Sequence, residues 1–189
     1  MWNRERLVIA GALAAVLALA ACSSPEAQEG GPIKPSNEHG SSGAIVDAGE
    51  PFTDAFELIE VEPGKSATIQ SVELLGATPG FRLLDAKLAG PDRQSMIVYQ
   101  FEPTFPPTEA GLGSLVPAVG AEIDGDHAGT PGYELILKLQ VDREGRFSRE
   151  GIRVNYTSDG VAYQRSIVAV LGVCTQKGLD AQGLCPALD

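Results

Sequence analysis

The segment Ala121-Glu122-Ile123-Asp124-Gly125-Asp126-His127 is the one constellation of ligating side chains worth weighing in this chain. Carboxylates at alternate positions around a glycine can present oxygens to a hard cation such as calcium, which makes Asp124, Asp126 and His127 the metal candidates. The bidentate Glu and the remaining positions of a known calcium loop are missing, so a solvated acidic turn with Asp-Gly chemistry stands beside that reading, and no cofactor is expected. His127 is also the last histidine available as a general base, because His39 lies in a polar N-terminal stretch. A Ser or Cys hydrolase built on the C-terminal domain would therefore have to use it. No nucleophile occupies a matching frame: Ser114 has Leu112 and Val116 where a nucleophile elbow has glycines. Gly64-Lys65-Ser66 imitates the end of a phosphate-binding loop, but Ile59 stands where its first glycine belongs. Apart from Met1, the only methionine is Met96, which disfavours copper handling. No catalytic residue is assigned, and the expectation is a protein that is not an enzyme.

The acidic cluster sits in a longer segment, 102–131, with prolines at 103, 106, 107, 117 and 131 and glycines at 111, 113, 120, 125 and 129. Structureless connections of this length are uncommon in compact domains and are often functional, so Phe105 is a candidate contact for a partner. The competing reading is a crossover between sheets whose apolar residues pack back on the fold.

Positioning these residues falls to short runs of Val, Ile, Leu, Thr and Tyr between Gly, Pro and Asp turns. Strands are predicted over 55–61, 67–75, 81–89 and 96–101. Tyr133, Leu135, Leu137, Leu139 and Val141 alternate with more polar neighbours, as do Ile152, Val154 and Tyr156, the period of half-buried antiparallel strands. Thr157-Ser158-Asp159-Gly160 predicts a tight hairpin into a last strand from Val161. No window shows a convincing helical period. The fold class is all-β, an antiparallel β-sandwich of immunoglobulin-like type, with a small β-barrel as the alternative.

The N-terminus carries an address. Arg4 and Arg6 precede Leu7 to Ala21, fifteen residues without a polar side chain, a secretory signal pattern. A membrane-spanning helix is the alternative, but it needs about 20 apolar residues and Ser23-Ser24-Pro25-Glu26 ends the run. Leu19-Ala20-Ala21-Cys22 resembles the lipobox of bacterial lipoproteins. That resemblance implies cleavage before Cys22, with diacylglycerol joined to its thiol, so Cys22 is the expected lipidation site. Two acyl chains give a stable anchor where one is marginal. Ile152-Arg153-Val154-Asn155-Tyr156 and Val168 to Cys174 are similar to the C-terminal ends of exported β-rich lipoproteins of high-GC Gram-positive bacteria, a likeness that implies no activity.

An exported chain with two cysteines left after the anchor favours a disulfide, Cys174 to Cys185, over a redox couple or a metal site. Residues 1–21 are expected as signal peptide, 22–47 as a lipidated flexible tether spanning about 25–30 Å, and 48–189 as the sandwich domain. With 43% apolar and 21% charged residues the chain is no disordered polymer. Its net charge of −11 excludes a basic face for nucleic acid. The expected role is a membrane-anchored extracytoplasmic lipoprotein, acting as a binding or structural module of the cell envelope with an envelope protein or cell-wall partner. An extracytoplasmic enzyme or a carrier of a small ligand or metal is the alternative.

Overall fold

The computed structural model describes residues 27–35, 39–93, 105–107, 112–127 and 132–185. Its strands among these residues are Gln28–Glu29 (β1), His39–Ile45 (β2), Pro51–Ile59 (β3), Ser66–Leu75 (β4), Phe81–Ala89 (β5), Leu115–Pro117 (β6), Glu122–Asp124 (β7), Tyr133–Val141 (β8), Arg146–Ser158 (β9) and Val161–Cys174 (β10). One sheet runs β1-β10-β9-β4-β7, with β2 also on β10, and the other runs β3-β8-β5-β6. The two mostly antiparallel sheets pack face to face and do not close on themselves. The sandwich is the observed architecture, and the barrel alternative falls. Among the described residues no helix is long and apolar enough to cross a membrane. The strand predicted over 96–101 lies outside the described residues.

Local chemistry accounts for the central hairpin. Asp159 and Gly160 both adopt positive φ, 50° and 76°, the two-residue turn whose twist matches that of the flanking strands. Ser158 pairs with Val161 across it, and the ladder runs on to Arg146 opposite Cys174. The inward residues of β8, Tyr133, Leu135, Leu137, Leu139 and Val141, meet Ile69, Phe147, Ile152, Val154, Tyr156, Ile167, Leu171 and Val173 from the opposite sheet. Burying each of the larger of these side chains contributes roughly 1.5–3 kcal/mol. The outward face of β8 is less polar than expected. Ile136 is buried in a second cluster with Ala55, Ala89 and Leu112, so this sheet has a covering on its outer side too.

The expected tether is corrected over its described part. Gln28 and Glu29 lie parallel to Tyr163 and Gln164 of β10, and Gly30 N donates to Gln164 O at 3.0 Å. The chain then crosses to the other sheet, where Ile33 bridges Val61 and is 1% exposed. Pro32 O and Lys34 N hydrogen-bond Glu62 and Glu60 on either side. Further on, β2 rejoins β10 in parallel from Ala169 to Cys174, with His39 at its start, so His39 belongs to a strand. Composition missed this because backbone pairing needs few apolar side chains: Ile33 and Ala44 supply the packing. Only residues 23–27 then separate Cys22 from β1, a reach of about 20 Å at full extension.

Candidate functional site

The turn after β7 brings the three metal candidates close together, linked to turn amides and to one another. Asp124 Oδ1 accepts from the Asp126 backbone N–H at 3.0 Å and lies 3.1 Å from His127 Nε2. Asp126 Oδ1 turns away to accept from Gly64 N at 3.1 Å. His127 Nε2 is also 3.3 Å from the Tyr133 hydroxyl, which accepts from Asp124 N at 3.2 Å. Burial pushes the Tyr133 phenol above its ordinary value. Gly125 is required where it stands, because a Cβ there would lie 2.0 Å from Glu62 O. The carboxylates thus satisfy turn amides and the imidazole. Among the described residues no three Asp, Glu, His or Cys side chains converge on a metal position. In the acidic turn, then, Asp124 accepts an amide of its own turn and Asp126 accepts one from the turn after β3.

Phe105 packs on the fold. Its ring is half-buried against Ile136, Ala55, Ala89 and Leu112 on the outer face of the β3-β8-β5-β6 sheet, with Lys138 Nζ 5.7 Å from its centroid. Among the described residues of this excursion, Val116 and Val119 are the large apolar side chains that are exposed. Arg93 is held by one carboxylate and two carbonyls: its Nε is 2.8 Å from the Glu134 carboxylate, and its Nη1 donates to Gly90 O at 2.9 Å and Gly132 O at 2.5 Å. Both side chains of that ion pair are 1% exposed.

A second ionic cluster, absent from the sequence reading, lies inside the sandwich. Arg149 of β9 projects between the sheets, and its Nη2 donates to Asp54 Oδ2 at 2.5 Å and to Glu57 Oε1, both on β3. Arg149, Asp54 and Glu57 are 2%, 1% and 0% exposed. In a regular strand residues three apart point to opposite faces, but the β3–β8 register shifts between Asp54 and Glu57, and that bulge turns both carboxylates inward. Burial pushes the Asp54 carboxyl up to about 7, and Glu57 adds to the rise while Arg149 opposes it. Burial alone would lower the Arg149 guanidinium, but Glu57 and Asp54 outweigh it and hold it above its ordinary value.

At the far end of β10 the sulfurs of Cys174 and Cys185 lie 2.08 Å apart, with Cα atoms at 5.5 Å. Beside them the buried Thr175 hydroxyl donates to Glu144 Oε2 at 2.6 Å and accepts from Gly145 N at 2.7 Å. That bond, with the Lys177 amide, holds the Glu144 carboxyl below its ordinary value. Cys22, the expected lipidation site, lies outside the described residues. Compared with known protein families, curated proteins and solved structures, the chain has no match.

Proposed function

We propose that this chain is a lipid-anchored extracytoplasmic protein whose sandwich serves as a binding or structural module of the cell envelope. The observation that carries the reading is Leu19-Ala20-Ala21-Cys22 closing an apolar run, with only six residues, 22–27, before a strand of the sheet. A lipid on Cys22 would then hold a folded body close to the bilayer. A sandwich with a cysteine pair at disulfide distance suits an oxidising compartment outside the cytoplasm. What favours a module over an enzyme is the direction of the ionisable groups: those of the acidic turn, of Arg93 with Glu134 and of Arg149 with Asp54 and Glu57 are engaged with one another or with backbone. The bilayer is the proposed first partner, and an envelope protein or cell-wall polymer the second.

Metabolic labelling of producing cells with a fatty-acid analogue tests the anchor. Wild type is expected to incorporate the label and to fractionate with membranes. Cys22→Ser is expected to do neither and to keep its signal peptide. Equal incorporation in the two proteins would overturn the assignment.

A further inference from the structure

We propose that Asp54, Glu57 and Arg149 form a proton-binding site in the core, in which the folded domain keeps one proton shared by the two carboxylates and gives it up on unfolding. Two carboxylates converge on a single guanidinium nitrogen, so with both ionised these three side chains would together carry a net negative charge where water does not reach. Isolated charge in such a place is far more expensive than a proton. No other buried cation is positioned to neutralise it among the described residues, since Arg93 is paired with Glu134 on the outer side of β8. In register, Leu137 and Leu135 of β8 stand beside Asp54 and Glu57, and Leu171 of β10 stands beside Arg149. Arg149 Nε and Nη1 have no hydrogen-bond partner among the described residues, so neither offers the carboxylates a second compensating contact.

The linkage has a definite sign. Asp54 binds its proton more tightly in the folded state, about 7, than at its ordinary value of 3.8. Its contribution to stability is therefore complete below the ordinary value, declines as pH rises through the window between the two, and is gone above the upper one. The domain is thus expected to be more stable in mild acid than at neutrality.

Equilibrium unfolding of the full-length chain in detergent, followed from about pH 4 to about pH 7, reads the effect. High salt is needed because it screens the surface acids and leaves a dry cluster nearly untouched. The folding constant of wild type is expected to fall by up to about tenfold per pH unit in this window, and that slope is expected to vanish in Asp54→Asn. The same slope in both proteins, or a wild-type constant that is flat or rises with pH, would overturn the proposal. If Asp54→Asn does not fold, Glu57→Gln takes its place. The proton is also visible directly in wild type, as the infrared C=O band of a protonated carboxyl persisting near about pH 6, where exposed carboxylates are ionised. Loss of that band in the folded protein would equally overturn it.

Discussion

The acidic turn after β7 and the ionic triad under β3 use nearly the same ingredients, two carboxylates beside one basic side chain, and turn them to opposite ends. In the turn, Asp124 and His127 keep 46% and 40% of their side-chain surface in water, and the carboxylates serve as acceptors for amides, one in the loop itself and one in the neighbouring turn at Gly64. Solvent screens the charges there, so the geometry is a matter of local hydrogen bonding. In the triad the same kinds of group have almost no exposure, and each charge acts on the others through a medium in which Coulomb energies are several times larger. What differs is the position of the residue relative to the pleat, not its type.

Removing the charge at the centre of the triad should produce the largest effect. Arg149→Met leaves two carboxylates buried without a cation and is expected to destabilise the domain by about 3–5 kcal/mol in urea unfolding. Replacing all three groups by apolar residues, Asp54→Leu with Glu57→Met and Arg149→Met, is expected to recover most of that loss, because no charge is then buried. A loss below about 1 kcal/mol for Arg149→Met would mean that the triad behaves like the surface turn. Phe105→Ala should fall between the two regions, at about 1–3 kcal/mol, since the ring is half-buried over Ile136. An unchanged melting temperature would instead return Phe105 to the surface as a candidate contact. Asp126→Ala, which removes the acceptor for Gly64 N, should cost only about 0.5–1.5 kcal/mol. Calcium is expected to leave the melting temperature of wild type unchanged; a calcium-dependent rise abolished by Asp124→Asn would restore the cation reading and blur the comparison.

Much of the frame was legible because it rests on period two and turn chemistry. Phe81–Ala89 appears where its run between turn residues placed it and Tyr133–Val141 where alternation did, and the Asp159-Gly160 hairpin follows from residues that tolerate positive φ. The triad was not legible, for a geometric reason. Asp54 and Glu57 are out of phase until a bulge puts them in phase, and no residue type announces a bulge in advance. Arg149 did leave a signal: it is in register with Phe147, an inward residue, but the strand predicted from Ile152 onward stopped short of both. The N-terminal strands escaped because Gly, Ser and Pro carry no apolar pattern, while the ladder that holds them is made by backbone atoms that every sequence has. Phe105 could be read equally well as a contact or a cover, and only the neighbours it meets decide between these.

The parallel course of β1 and β2 along β10 also sets how the molecule would carry a load. The chain enters beside the β9–β10 hairpin, with Gln28 level with Tyr163, and runs in the direction of β10 to Ile45 opposite Cys174. Were the chain anchored through Cys22 as proposed, tension entering at Gln28 would pull along the strand axis. The rungs joining β1 and β2 to β10 are then strained together, as in a lap joint, rather than opened one after another like a zip. Ile33, seated in the core midway, adds a peg to the joint. A body anchored in this way would resist being peeled from its own leash by shear in a moving envelope, and the strength of its attachment would lie in the sheet itself.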